Sequence, residues 1–269
     1  LRLRATAREA PQETPRPVSS VWAKVRSCMK LGAEWNTSST VGWSRTPLHR
    51  CAVEGPWGRR KRWHHWCVTS AREVVALTLA DLDYLHLAVT VVIDRASGKV
   101  TRDTWVRPLG LSAAFPETAT QGEISAGPLR FTDDGARVRL RARGIDLEVD
   151  RPPAFPSLSV AVDWKGGRFA YSSKQPGLPA RGTVHGRPLA DGALACLDWG
   201  RGVWPLTSRW NWACAMRPGL SLNLGAQWAN ENAVIAGEAL TKLGDVAFEW
   251  NRRAPREPWR IRSPQVDLT

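Results

Sequence analysis

The sequence of 269 residues holds no run of 18 apolar residues. The best candidate, Val74 to Ile93, is broken by Asp81 and Asp83, which excludes a spanning helix. G-x-S-x-G, H-E-x-x-H, the phosphate loop and the dinucleotide-binding glycine pattern are all absent, which removes the common hydrolase, protease and nucleotide-enzyme classes. Five cysteines (Cys28, Cys51, Cys67, Cys196, Cys214) include no C-x-x-C pair, and an odd number makes a poor disulfide framework. Neither a metal nor a redox site is expected, no cofactor is called for, and a reducing cytoplasm fits best. His64 and His65 are adjacent and so point to opposite faces of a strand, which argues against joint metal ligation. No apolar segment separates the first arginines from Pro11, so the secretory pattern is missing too. The chain starts at Leu1 and stops at Thr269 inside a strand-like run, and a C-terminally truncated piece is the expectation.

Acidic residues are few, 25 against 38 Lys and Arg, for a net charge of +13. The excess is local. Residues 1–30 hold seven basic and two acidic side chains, and Arg59-Arg60-Lys61-Arg62 adds four more cations. Of the basic residues 31 are Arg, in a chain also rich in Ala, Gly and Pro, a composition that a GC-rich genome imposes on any protein. Stable nucleic-acid binding is therefore not expected, despite the pI.

Tryptophan is what the chain has in plenty, 15 residues against five Phe and two Tyr. Such wide indoles either fill the interior of a β protein or line a pocket for a long apolar or aromatic ligand. Residues 1–40 are Pro- and Arg-rich without a period and read as a poorly structured lead-in. From Trp63 the pattern is β, with short runs at 64–70, 73–80 and 86–94, the turn Asp94 to Gly98, and a run at 100–106. The segment Ala136 to Arg143 alternates strictly, with Arg on one face, and Ile145 to Asp150 continues with carboxylates, so cross-strand ion pairs are expected. Further short runs follow at 182–188, 194–198, 210–216, 220–228, 246–250 and 259–261. No ten residues show a clean helical period. The fold class is all-β and antiparallel, with a first barrel over 41–175, a partial second β domain over 180–269, and the breaker-rich Ser172 to Ala180 between them.

Three segments concentrate chemistry. In the first, the basic run is flanked by Trp57, Trp63 and Trp66, which can stack bases, rest on acidic headgroups, or wall a strand entrance. In the second, Asp81 and Asp83, next to Tyr84, need a cationic partner or must share a proton, and the Arg59 to Arg62 run is the obvious supply of cations. The third is Arg181 to Trp212. It contains Asp198-Trp-Gly200 and then Trp210-Asn-Trp212, with Arg201, Trp204 and Arg209 between. A carboxyl among indoles loses hydration, which favours its protonated form and makes Asp198 the candidate proton donor; Arg201 or Arg209 would instead hold it as a salt bridge.

Asp198-Trp-Gly200, Trp210-Asn-Trp212, Trp57-Gly-Arg-Arg-Lys-Arg-Trp63 and Ala80-Asp-Leu-Asp-Tyr84 together resemble the bacterial domain-of-unknown-function family 2804, over roughly Gly42 to Thr269. More distantly, the Asp–Gly–W-x-W arrangement is similar to tandem lipocalin-like proteins that include carotenoid hydratases and cyclases. That resemblance implies two calycin-type barrels meeting around an apolar ligand, with an acidic residue near the cavity. Trp199 departs from it, standing where those relatives usually have His.

The resulting expectation is a protein that binds an apolar or lipid-like small molecule and can convert it, without a cofactor, by acid-catalysed hydration, isomerisation or cyclisation. Asp198 is the catalytic candidate. The ligand-binding candidates are Trp57, Trp63, Trp66, Asp81, Asp83, Tyr84, Trp199, Arg201, Trp204, Arg209, Trp210, Asn211 and Trp212. The alternatives are a noncatalytic lipid carrier, and a nucleic-acid or acidic-surface module with peripheral membrane contact through the Trp63 region.

Overall fold

The computed structural model describes residues 29–31, 42–47, 49–108, 115–164, 166–226, 231–254 and 257–268. Three short strands come first: β1 (Met29–Leu31), β2 (Gly42–Ser44) and β3 (His49–Cys51). A meander follows of β4 (Arg60–Thr69), β5 (Glu73–Asp81), β6 (Leu85–Asp94) and β7 (Val100–Pro108). Next come β8 (Gly122–Ala126), β9 (Leu129–Asp133), β10 (Arg137–Ala142) and β11 (Ile145–Asp150). Then come β12 (Leu158–Asp163), β13 (Phe169–Val184), β14 (Arg187–Pro188) and β15 (Leu194–Val203). The C-terminal part contributes β16 (Asn211–Arg217), β17 (Leu220–Ala226), β18 (Ala233–Ala236), β19 (Ala239–Lys242), β20 (Ala247–Glu249), β21 (Arg260–Arg262) and β22 (Asp267–Leu268).

The main sheet runs β7-β6-β5-β4-β15-β13-β11-β10-β9-β8, and its ladders are antiparallel. Its two ends curl back toward each other. Trp105 of β7 lies on the β8–β9 turn at Gly127, where a Cβ would sit 2.5 Å from the indole and φ is +53°, so only glycine fits. The alternation read in the sequence explains the packing: β5, β9, β10 and β11 bury every second residue. One face of this nearly closed sheet is filled by Trp66, Val68, Leu77, Leu79, Phe131, Leu140, Leu147, Leu197 and Trp199, so its interior is packed core. Two smaller sheets, β16-β17-β18-β19 and β20-β21-β22, share a second core around Leu222, Leu224, Leu243, Val246 and Ile261.

The expected Arg and carboxylate rows do pair across strands. Arg139 holds Asp146 (2.7 Å), Arg137 holds Glu148 (2.7 Å), and Arg181 holds both Glu148 and Asp150. The Ser172 to Ala180 stretch, expected to join two units, lies inside β13. Up to Lys174 this strand pairs with β12, and from Ala180 onward with β11, while β15 runs along its other side. Pro176 and Gly177 (φ +99°) sit at the bulge where β13 changes partners, so the breakers serve a bend within one strand. Residues 194–203, expected in the second unit, pair with β4 of the first sheet. Strands β8, β12, β18 and β19 lie outside the runs expected from the sequence. Of the lead-in 1–40, only 29–31 are described, pairing with 49–51; the rest lies outside the described residues. Among the described residues there is no helix, hence none long and apolar enough to cross a membrane.

Candidate functional site

Strand register builds the site. Thr78 of β5, His65 of β4, Asp198 of β15 and Lys174 of β13 are successive cross-strand partners, so four polar side chains form one row across the outer face of the sheet. The next row is Ala80, Trp63, Gly200 and Ser172. Trp63 lies flat over Gly200, where a Cβ would stand 1.9 Å from the ring. The missing side chain lets the indole reach sideways, and its Nε1–H donates to Asp198 Oδ1 at 2.7 Å.

Lys174, almost fully buried, forms an ion pair with Asp198 and lies 3.5 Å from Glu231 Oε2. Glu231 also accepts the Ser172 hydroxyl, and His65 Nδ1 lies 2.7 Å from Thr78 Oγ1. The second sheet supplies the opposite wall. Trp212 stands edge-on to His65 and its ring centre is 5.6 Å from Lys174 Nζ. Asn223 Oδ1 accepts the Trp212 indole N–H at 2.8 Å, while its Nδ2 donates to the Glu231 carbonyl at 2.6 Å, so one side chain positions both. Trp204 is the hub of the aromatic wall, edge-to-face with Trp63 (5.5 Å), Trp164 (5.5 Å) and Trp210 (5.4 Å). The cavity, partly open to solvent, has a volume of about 880 Å³, within the range of small-molecule sites. A more open cleft of about 590 Å³ shares Arg209 and Trp210 with it and contains Asn211 and Trp250.

Burial pushes the Glu231 carboxyl above its usual range, and Lys174 offsets this only in part. Burial also acts to pull the Lys174 ammonium down, but Asp198 and Glu231 prevail and raise it. His65 is lowered by burial, more than Asp198 restores, and is neutral at pH 7. The polar row therefore sets one ammonium between two carboxyls beside a neutral imidazole under an aromatic roof, with Glu231 the carboxyl inclined to keep a proton. Among the described residues no group of His, Cys, Asp and Glu is arranged to hold a metal ion.

Asp198 lines this cavity, together with Trp63, Tyr84, Trp204, Arg209, Trp210 and Trp212. Its partner is not the one expected. Arg201 is three residues away on the same strand and therefore on the other face, where its fully buried guanidinium donates to the carbonyls of Trp63, Gly200 and Pro116. It stacks 4.3 Å over Trp199, and burial lowers its pKa to about 9. Arg209 is exposed at the cavity. Nor is Asp198 at a strand end; it sits within β15, and Trp199 beside it points into the core. Trp66 and Trp199 are core residues, Trp57 is 64% exposed and touches Tyr84 edge-on, and Asn211 lies in the neighbouring cleft. Asp81 and Asp83 are buried ion-pair partners outside the cavity lining. Arg62 meets Asp81 at 2.7 Å and Arg60 meets Asp83 at 2.8 Å, from the basic run that was expected to supply them. Sequence reasoning missed Lys174 and Glu231, which carry no local motif. It also met His65 only as a metal candidate.

A nearly closed antiparallel sheet of this topology defines the class, a lipocalin-like all-β protein. The chain belongs to the family of the domain of unknown function DUF2804, whose sequence model matches residues 23–269. Among solved structures it is similar to kievitone hydratase from Nectria haematococca, with a TM-score of 0.50 and 15% identity over 75% of this chain and 72% of that one. It is also similar to an AttH-designated protein of Nitrosomonas europaea, with a TM-score of 0.48 and 15% identity over 76% of each chain. No curated protein sequence matches the chain.

Proposed function

We propose that this protein binds an apolar, lipid-like small molecule in the aromatic cavity and converts it by acid chemistry of the hydration, isomerisation or cyclisation type. The observation that carries the reading is the row His65–Asp198–Lys174 completed by buried Glu231 beneath Trp63, Trp204 and Trp212. A mostly apolar enclosure with a few convergent polar groups suits a ligand that must be held away from water while one proton moves. Glu231 is the better placed acid, and Asp198 is a positioning residue that ties down Lys174 and Trp63. In a hydration, Glu231 gives its proton to one alkene carbon. The adjacent cationic carbon, facing indole π-surfaces, takes the oxygen of water, whose surplus proton passes to His65 and is then returned to Glu231, restoring both groups. Atoms balance as alkene plus water giving alcohol, with no oxidant or reductant. The name of the hydratase neighbour agrees with this class, at a likeness that speaks for the fold alone. Pairing of Arg60 and Arg62 with Asp83 and Asp81 further favours the cavity over a polyanion-binding surface.

Native mass spectrometry of gently purified protein, with quenching of Trp fluorescence by apolar ligands, tests the reading. A retained lipid that displaces, and a Glu231→Gln variant that binds but does not turn it over, are the expected results. Undiminished turnover in Glu231→Gln refutes the acid, binding without any turnover leaves a carrier, and quenching by polyanions alone refutes the cavity.

A further inference from the structure

We infer that Arg59 recognises the anionic head of the ligand, which is therefore an amphiphile with a carboxylate or phosphate at one end and an apolar body. The inference rests on the cavity being a binding site, as proposed above. Three of the four cations in the run Arg59 to Arg62 are accounted for within the protein. Arg60 and Arg62 pair with Asp83 and Asp81, while Lys61 donates to the carbonyls of Gly58 and Leu82 and lies 4.6 Å over the Tyr84 ring. Arg59 is different. It lines the cavity, and its Nη1 is shielded from solvent yet has no protein acceptor. A guanidinium nitrogen without either water or an acceptor is costly, and an entering anion relieves it.

The backbone of Arg59 is fixed beside the aromatic wall. Its N–H donates to the Pro56 carbonyl at 3.2 Å, and its own carbonyl accepts the Trp204 N–H at 2.8 Å. Arg209, on the segment leading into Trp210, lines the same cavity and has no acceptor among the described residues, so a second cation is available. The two carboxyls of the cavity are both engaged by Lys174, which leaves neither as a partner for Arg59. Charge is thus divided: paired groups at Lys174, and unpaired guanidinium at Arg59. A ligand bound head-first to Arg59 lays its apolar body along Trp204 and brings its far end toward Glu231. One shielded guanidinium in a cavity, rather than a row of free cations, is the signature of a single small anion and not of a polyanion.

The test compares cis-parinaric acid with its methyl ester, reading energy transfer from tryptophan in the full chain. The acid is expected to bind roughly tenfold or more tightly than the ester, as a charge-assisted hydrogen bond implies. Arg59→Gln should bring the acid to the level of the ester and leave ester binding unchanged, which also reports an intact fold. Displacement of the probe by dodecanoate or by dodecyl phosphate identifies the head; displacement by neither overturns the proposal. Equal binding of acid and ester to the wild type overturns it while leaving the cavity reading intact. Acid preference that survives Arg59→Gln overturns the assignment to Arg59, and binding of neither probe overturns both readings.

Discussion

Asp198→Asn isolates what the buried ion pair contributes. Asn fills the same volume and its Oδ1 still accepts the Trp63 indole N–H, now 2.7 Å from Asp198, so packing and the aromatic wall are retained. What changes is the charge beside Lys174, whose side chain is 3% exposed. Breaking a buried pair from one side costs about 3–5 kcal/mol. Here Glu231 stays 3.5 Å away as a second anion and the Asp198 side chain is 17% exposed, so the cost falls to the lower end of that range or just below it, about 2–3 kcal/mol. For a chain of this size that is a fall of about 4–12 °C in Tm. Glu231 should also lose protons more readily, because Asp198 contributes to raising its pKa and Lys174 would then serve Glu231 alone. Turnover should fall with stability although the asparagine side chain occupies the same space. Calorimetry on the single mutants and on Asp198→Asn/Lys174→Met gives the coupling, and the double mutant should recover part of the lost stability. A midpoint within about 1 °C of wild type for Asp198→Asn, on the same scale, would refute the claim that Lys174 depends on it.

Gly200→Ala places a Cβ 1.9 Å from the Trp63 ring, so it should expel the indole, alter the near-ultraviolet circular dichroism and weaken ligand binding; unchanged spectra would contradict the packing. Trp66→Ala empties a fully buried site and should cost about 3–5 kcal/mol, whereas Trp210→Ala, 53% exposed, should cost under about 1 kcal/mol yet reduce ligand quenching; chemical denaturation separates them. Burial lowers His49, His64 and His65 below 6.5, so the folded state binds fewer protons and the stability they contribute is present above pH 6.5 and lost as pH falls through their lowered values. His65→Gln should flatten that acid slope. Glu231 is raised, so its contribution has the opposite sign: full below 4.5 and lost as pH rises through the raised value, a loss that Glu231→Gln should abolish in thermal melts across pH 4–8.

Alternation alone determined much of this protein. A side-chain period of two, as in Ala136 to Arg143 against Ile145 to Asp150, fixes strand type, buried face and ion pairing together, because all three follow from the pleat. Local density of Trp, Asp and Gly likewise pointed to Trp63, Asp198, Trp204, Trp210 and Trp212, and these meet at one cavity. Register between distant strands was not legible. Lys174 lies in a Pro- and Gly-containing stretch that looks like a linker, and only the pairing of β13 with β15 sets it against Asp198 instead of Arg201. Glu231 reaches the same cation from another sheet, held by Asn223. The division of the tryptophans was hidden too: Trp66 and Trp199 became core while Trp63 became wall, since one residue of offset along a strand reverses the face. Local period marks most of the strands, their apolar faces and the ion pairs of neighbouring strands; which charges of distant strands meet is set by pairing across the sheet, because it joins residues whose separation along the chain carries no signal.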